Sequence, residues 1–389
     1  MKVDGVVNIQ LYPEARLRLP QTDDVHRDFR LDICRGMALW FVFVDHVPNN
    51  IVSWFTLRNY GFSDATEVFV FISGYTCMIA YGGVLQSQGW LAMSLHAVRR
   101  SWQIYTAFLL LLVVYLAFVQ SFDHTRYLDE TNAAVFFAHP GPAILHAGLM
   151  QYRLVNTDIL PLFVLLHLIF PALLWLFTRS INVSLTASLL LYVSVQIFRI
   201  NLPAWPQGEW YFNPLAWQIL FVLGMWCAMD RSAPIRRMAR SPISLTASVL
   251  YLILSLIVVL SWQVEILDKF TLPQTLSNLI YPIDKSNLSP ARLLHFVALA
   301  CVAMRLLPRS WRGSSSLLAI ALIRCGENSL TIFCLSVLLS LIGYVVMENT
   351  SGTVLMQVLI SMVGIAVMVA IATLLTWTAK LEGPKPRLF

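Results

Sequence analysis

Long apolar runs alternate with short polar stretches along most of the chain. A helix needs about 20 mostly apolar residues to cross a hydrocarbon core of about 30 Å. Ten runs of roughly this length end at charged residues, proline or glycine. Their bounds are 31–52, 65–85, 102–122, 158–178, 183–199, 213–230, 243–262, 290–307, 324–347 and 353–377. The pattern predicts an all-α fold, a polytopic transmembrane bundle of about ten helices.

One further apolar stretch, residues 133–152, is less regular. It holds two histidines and is broken by Pro140 and Pro142. Proline removes a helical hydrogen bond, and ionisable groups are rare among lipid-facing residues. We therefore predict an interfacial or re-entrant segment here, which would otherwise form an eleventh span.

Composition and charge agree with a bilayer as the solvent. Of 389 residues, 58% are hydrophobic and 12% are charged, whereas about 25% are charged in a soluble domain. With the N-terminus inside, most of the 27 Lys and Arg residues fall on the cytoplasmic side. We therefore predict that both termini are cytoplasmic. The net charge of +6 follows from this topology and gives no reason to invoke nucleic acid.

The chain is predicted to form one membrane domain, residues 29–380, between cytoplasmic tails at residues 1–28 and 381–389. The first 28 residues lack the order of basic, apolar and small residues that marks a cleaved signal peptide. The six cysteines show no metal-ligand spacing, and the histidines and carboxylates form no clustered ligand set. We expect neither a disulfide framework nor a metal centre.

Ionisable residues in the first span are candidates for function, because such groups are costly in a bilayer. Arg35 and His46 are eleven positions apart, which places them on one helix face with a rise of roughly 16 Å. Asp32 is spaced to pair with Arg35. A snorkelling Arg35 bridged to Asp32, and an imidazole of His46 bonded to a neighbouring carbonyl, are the structural alternatives.

Two carboxylates begin the second span, at the end where the first span leaves the membrane. Asp64 or Glu67 could therefore reach His46, fix its tautomer and stabilise its imidazolium, as a general base requires. Alternatively, they are surface carboxylates favoured by the helix dipole. Gly74, which follows Ser73, suits close helix packing.

These residues resemble a known superfamily. The first-span spacing of Arg35 and His46, followed by EVFVFISGY at residues 67–75 and a basic stretch at 99–105, resembles the acyltransferase-3 membrane acyltransferases. Four segments resemble the OpgC branch more closely: NTDILPLFVLLH (156–167), FNPLAWQILFVLGM (212–225), DKSNLSPARLLHFVALA (284–300) and GENSLTIFC (326–334). OpgC proteins are succinyltransferases of osmoregulated periplasmic glucans. The likeness runs from about residue 27 to residue 381.

The resemblance implies a catalytic set and a donor site. His46 is the catalytic residue, Glu67 occupies the acidic position, and Asp45 adjoins His46. Arg35, together with Arg99 and Arg100, is expected to bind the acyl-coenzyme A donor. Many superfamily members carry a second histidine in the late helix, where this chain has Cys334 and Leu335, so no role of that histidine is transferred.

The resulting hypothesis is an acyltransferase of the bacterial inner (cytoplasmic) membrane. Succinyl-CoA enters past Arg35 from the cytoplasm, and a glucan hydroxyl meets the acyl group from the periplasm. Direct transfer and an acyl-histidine intermediate both remain open. So do an acetyltransferase for another envelope polysaccharide and, in a different class, a transporter or flippase. The oligomeric state is also open, a homodimer included.

A succinyl donor has a free carboxylate, so a cation is expected in the periplasmic half. The candidates are Lys285 and Arg292, with Arg153 behind them, although interfacial anchoring explains each nearly as well. Further substrate contacts are expected from Asp158, which also suits a helix cap, and from the aromatic residues of loop 202–213. These are Trp205, Trp210, Tyr211 and Phe212, which an aromatic belt explains equally well. The other histidines in or near spans (His139, His146, His167 and His295) are interpreted as structural.

Overall fold

A computed structural model describes residues 28–121, 125–229, 237–239, 241–261, 281–306 and 316–381, which are almost entirely helical. The helices are α1 (Phe29–Asp45), α2 (Ala65–Gln120), α3 (Thr125–Glu130), α4 (Ala133–Ala138), α5 (Pro140–Gly148), α6 (Ile159–Arg179), α7 (Ile181–Phe198), α8 (Pro214–Cys227), α9 (Pro242–Ser261), α10 (Pro290–Leu306), α11 (Leu317–Glu327), α12 (Ser329–Glu348) and α13 (Val354–Leu381). The predicted tails lie almost wholly outside the described residues.

The all-α membrane fold is confirmed, but the count of about ten spans is not. Each predicted span overlaps a helix. Six helices in the described part of the chain are long and apolar enough to cross a bilayer, namely α2, α6, α7, α9, α12 and α13. Helix α8 is apolar but has only 14 residues, and α1 and α10 have 17 each. The positions of the termini stay a prediction.

The second and third predicted spans lie in one helical element. Helix α2 has 56 residues and is interrupted at Gly89, whose φ of 83° lies in the left-handed region. The stretch predicted as a loop between these spans, residues 86–101, is therefore helical apart from this break. Arg99 and Arg100 lie on the second helical part and not in a loop.

The irregular stretch at residues 133–152 forms two short helices. Helix α4 ends at Ala138, and α5 begins at Pro140, where the fixed φ of proline suits a first helical turn. Neither helix is long enough to cross a bilayer. The segment thus has the broken form that its prolines predicted.

Close helix crossings assemble the bundle. A Cβ on Gly74 of α2 would overlap the carbonyl of Phe221 in α8, and a Cβ on Gly224 of α8 would overlap the carbonyl of Phe71. Small residues let membrane helices approach this closely. Gly36 of α1 and Gly326 of α11 form a second crossing of the same kind, each against the other helix's backbone.

Candidate active site

The end of α1 and the start of α2 come together at one end of the bundle. His46 caps α1, two short 3-10 turns follow at Ile51–Phe55 and Leu57–Asn59, and Asp64 caps α2. The Asp64 carboxylate accepts from the Thr66 amide, and Glu67 accepts from the Asp64 amide at 2.9 Å. This reciprocal capping box starts the helix. It also fixes both carboxylates at the end of the bundle that holds His46.

The hydrogen bonding of His46 defines its tautomer. Its Nδ1 lies 2.5 Å from the carbonyl oxygen of Val42, one turn earlier in α1. A carbonyl can only accept, so Nδ1 carries the proton. Nε2 makes no hydrogen bond to any of the described residues and keeps its lone pair. The tautomer is thus fixed by the main chain, through the carbonyl contact that the structural alternative for His46 predicted. Neither Asp64 nor Glu67 makes the hydrogen bond to His46 that a general base was expected to receive.

The carboxylates beside His46 instead hold the two predicted cations. Lys285 Nζ lies 2.6 Å from Asp64 Oδ2, and Arg292 Nη2 lies 3.2 Å from the same oxygen. Arg292 also donates from Nε to Glu67 Oε1 at 2.8 Å. Glu67 is wholly buried and Arg292 is only 8% exposed. Two positive charges meet two negative charges, so this charge quartet (Asp64, Glu67, Lys285 and Arg292) is neutral.

The segment before α10 carries Lys285 and is tied to α8. The Trp217 indole donates to the carbonyls of Lys285 and Ser286, at 3.1 Å each, and the amide of Asn213 donates to the Ser286 carbonyl at 3.0 Å. Both donors belong to FNPLAWQILFVLGM, and both acceptors belong to DKSNLSPARLLHFVALA. Two sequence segments that are distant along the chain therefore position one cation of the site.

Arg58 is a site residue that the sequence interpretation did not single out. Its Nη1 donates to the carbonyl of Asp45 at 3.2 Å, next to His46 in the chain. The Asp45 carboxylate accepts from the Thr56 hydroxyl at 2.6 Å. Arg58 is exposed and forms no salt bridge with another described residue. A signal was present, since Arg58 is the only Lys or Arg between Asp45 and Glu67.

A cavity of about 270 Å³ lies near the same end of the bundle. The polar and aromatic side chains that line it include Asn132, Gln151, Arg153, Asp158, Trp205 and Gln207. Arg153 Nε donates to Asp158 Oδ1 at 3.1 Å, and its guanidinium lies 4.9 Å from the ring centroid of Trp210. The structure thus brings the predicted residues Asp158 and Trp210 together through Arg153.

Lys285 lies between the charge quartet and the aromatic loop. Its Nζ is 2.6 Å from Asp64 Oδ2 and 5.6 Å from the ring centroid of Phe212, which shares loop 202–213 with Trp205 and Trp210. The charge quartet and the aromatic loop are therefore neighbours.

A known protein family matches this chain. The family model described as OpgC protein matches residues 27–380, nearly the whole chain. The chain belongs to the OpgC family. Among curated proteins and solved structures, none matches it. Family membership indicates a membrane acyltransferase.

The residues that this OpgC-family chain was expected to offer to a donor lie earlier in α1, at Arg35, and later in α2, at Arg99 and Arg100. Arg35 pairs with Asp32 at 3.8 Å, as its spacing predicted, and donates to the Thr76 hydroxyl. Arg100 lies on the second helical part of α2, where it donates to Gln103 at 3.2 Å. Arg99 is exposed one residue earlier.

Two further histidines of the OpgC-family chain have local partners. His295 Nδ1 accepts from the Ser63 amide at 3.2 Å and lies 2.6 Å from the Ser63 hydroxyl. His167 Nδ1 bonds the Phe163 carbonyl at 2.8 Å, and its Nε2 lies 3.4 Å from Cys77 Sγ. Both imidazoles are buried. Such partnered, buried rings fit structural roles.

Proposed function

We propose that this protein is an O-succinyltransferase that moves the succinyl group of cytoplasmic succinyl-CoA to a hydroxyl of a periplasmic glucan, with His46 as the general base. The observation that supports it is the tautomer of His46. A protonated Nδ1 held by the Val42 carbonyl leaves the Nε2 lone pair available for a hydroxyl proton. Family membership supplies the reaction class.

The proposed orientation places donor and acceptor on opposite sides. With the N-terminus inside, the part of α1 that carries Arg35 faces the cytoplasm, and His46 lies roughly 16 Å further along, towards the periplasm. Arg35 and Arg100 supply positive charge for the phosphates of the coenzyme. The acyl end then reaches His46 from one side while the glucan approaches from the other.

The proposed step is direct acyl transfer. His46 Nε2 takes the proton of the glucan hydroxyl as its oxygen bonds to the thioester carbonyl carbon. The carbon–sulfur bond then breaks, and the coenzyme leaves as a thiolate that recovers the proton from the imidazolium. Asp45 and Glu67 act as positioning residues. Asp45 holds the turn after α1 through Thr56, and Glu67 holds Arg292.

Arg58 is proposed to bind the free carboxylate of the succinyl group. Lys285 and Arg292 are already paired within the neutral charge quartet, and Arg153 is paired with Asp158. Arg58 lies beside His46 and donates only to a main-chain carbonyl among the described residues. A guanidinium in this position suits bidentate recognition of a carboxylate.

The catalytic assignment is tested by mass spectrometry of glucans from cells that carry His46→Ala. We expect loss of acylation with a normal amount of protein in the membrane. The matched control is His139→Ala, which removes an exposed imidazole between α4 and α5 and should leave acylation intact. Undiminished acylation in the His46 variant would contradict the proposal.

A covalent route predicts a different product. If His46 is acylated first, brief exposure of the purified protein to succinyl-CoA without glucan should add the mass of one succinyl group to the peptide that contains His46. Direct transfer leaves that peptide unchanged. Quenched peptide mass spectrometry therefore separates the two routes.

A further inference from the structure

The lining of the cavity beside Arg153 suits a neutral polar ligand. Its lining includes one cation, Arg153, and one carboxylate, Asp158, which pair at 3.1 Å. Burial lowers the pKa of Arg153 and raises that of Asp158, although each charge stabilises the other. A carboxylate ligand arriving here would meet Asp158 beside Arg153. The cavity therefore does not suit the succinyl carboxylate for which Arg153 was considered.

The other polar side chains supply both donors and acceptors. Asn132, Gln151 and Gln207 are among the lining residues, and an amide side chain can donate and accept. The Asn132 amide already donates to the Arg153 carbonyl and Gln151 Oε1 already bonds His146, so each keeps part of its hydrogen-bonding capacity. A sugar hydroxyl does the same, so an array of amides with an ion pair suits a ring that carries several hydroxyls. Ligand sites combine such polar groups with an apolar surface.

Trp205 supplies that apolar surface. Its ring is stacked on His146, with centroids 4.9 Å apart and planes at 7°, and its edge lies against Tyr152. The His146 ring is held in turn by a hydrogen bond between its Nδ1 and Gln151 Oε1 at 2.7 Å. His146 covers one face of the indole, which leaves the other face of this lining residue for the C–H side of a sugar ring.

The backbone around the cavity is held in an unusual conformation. Asn132 and Met150 have φ values of 63° and 59°, in the left-handed region. Asparagine tolerates this region, but methionine rarely adopts it. Asn132 is fixed by a bond to the Arg153 carbonyl at 2.8 Å and receives the Tyr152 hydroxyl at its own carbonyl at 2.7 Å. The cavity wall is therefore preorganised.

We infer that the cavity lined by Asn132, Gln151, Arg153, Asp158, Trp205 and Gln207 binds one neutral hexose ring of the acceptor glycan. This inference rests on the proposed function and names its acceptor subsite. A volume of about 270 Å³ suits a single ring, since pockets for drug-sized ligands begin at ~300 Å³. Loop 202–213, which supplies Trp205 and Gln207 to the cavity, also places Phe212 5.6 Å from Lys285 of the charge quartet.

The inference is tested by calorimetric titration of the purified full chain with short glucose oligosaccharides that differ in linkage. The test variant is Trp205→Leu, and Trp175→Leu is the control. Trp175 is a half-exposed tryptophan of α6 at the end away from Asp158. We expect at least tenfold weaker binding from the first variant and unchanged binding from the second. Trp205→Phe should recover most of the affinity.

Two measurements keep the outcome decisive. Gln207 is exposed, so Gln207→Ala should fold normally even if Trp205→Leu does not, and we expect it to weaken binding severalfold. Titration of His46→Ala separates this inference from the proposed function. Oligosaccharide binding that persists without His46 supports the cavity whatever the reaction is. Wild-type affinity in both Trp205→Leu and Gln207→Ala would overturn the cavity assignment.

Discussion

The role of His46 as general base depends on a single main-chain contact. The Val42 carbonyl lies four residues before His46 and fixes its tautomer, as a carboxylate does in a catalytic triad. A carbonyl holds the ring without adding a negative charge to the site. Aspartate or glutamate beside the imidazole is therefore unnecessary, and the nearby carboxylates can hold Arg292 and Lys285.

The charge quartet makes Arg292 important for stability. Removing one partner of a buried ion pair leaves the other charge uncompensated and costs about 3–5 kcal/mol. We therefore expect Arg292→Leu to lower the thermal unfolding temperature in detergent markedly. Combining it with Glu67→Leu should recover much of that loss, because the wholly buried carboxylate is then also gone.

Lys285→Leu is the control for this prediction. The Lys285 side chain is 26% exposed, against 9% for that of Arg292, and water can replace part of its ion pair. Its substitution should lower the unfolding temperature less. If Lys285→Leu and Arg292→Leu lowered the unfolding temperature equally, burial would not determine how much each ion pair of the quartet contributes to stability.

Arg58 allows a test of donor selectivity. If its guanidinium binds the succinyl carboxylate, Arg58→Ala should lower succinyl transfer by about tenfold, the effect of losing roughly 1.4 kcal/mol. Acetyl transfer, which has no carboxylate to bind, should change little. Purified protein assayed with the two coenzyme thioesters gives both rates. If the transfer rate fell equally with both donors, Arg58 would not be the residue that binds the succinyl carboxylate.

Local spacing predicted some contacts of the site but not the long-range ones. The pair of Asp32 and Arg35 follows from positions on one helix. The pairs of Asp64 with Lys285 and of Glu67 with Arg292 join residues more than 200 positions apart. Nothing in either segment shows that the two meet. The interpretation could place these cations near the membrane surface but could not reveal that they were neutralised.

At the scale of elements, apolar runs found the helices better than their ends. Hydropathy indicates which residues can face lipid. Helical hydrogen bonding continues beyond them until a helix-breaking residue, such as glycine or proline, ends the helix. This is why residues 90–101, predicted as a loop, continue α2 after the break at Gly89. The run at 324–347 shows the reverse, since it is divided at Asn328 between α11 and α12.

The close crossing of α2 and α8 predicts that a larger residue at Gly74 will destabilise the bundle. Gly74→Ala places a Cβ against the Phe221 backbone, which cannot move away as a flexible side chain could. Overpacking of this kind costs about 1–3 kcal/mol. We expect a lower unfolding temperature and weaker acyl transfer, because α2 carries Asp64 and Glu67. Thermal unfolding and transfer assays of purified protein measure both effects.

Gly141→Ala in α5 is the matched control. A Cβ at that position meets no atom within 4 Å, and alanine is the better helix former by about 1 kcal/mol. Its unfolding temperature should stay the same or rise. If Gly74→Ala were equally harmless, the α2–α8 crossing would be looser than the structure indicates.

For the whole molecule, orientation decides whether the two ends of α1 can serve two compartments. Arg35 lies on α1, which runs without interruption from Phe29 to Asp45, and His46 caps its C-terminal end, so the helix separates the two residues along its axis. Which end faces the cytoplasm depends on the distribution of Lys and Arg. Part of that distribution lies in residues 1–27 and 307–315, outside the described residues.

Cysteine labelling tests the orientation. Arg99 and Glu209 are both exposed and are proposed to lie on the cytoplasmic and periplasmic sides. A membrane-impermeant maleimide should label Glu209→Cys in spheroplasts, and should label Arg99→Cys only after the membrane is permeabilised. The unmodified chain gives the background from its six native cysteines, three of which are buried. The reverse pattern would place His46 towards the cytoplasm, away from a periplasmic glucan, and would refute transfer across the bilayer.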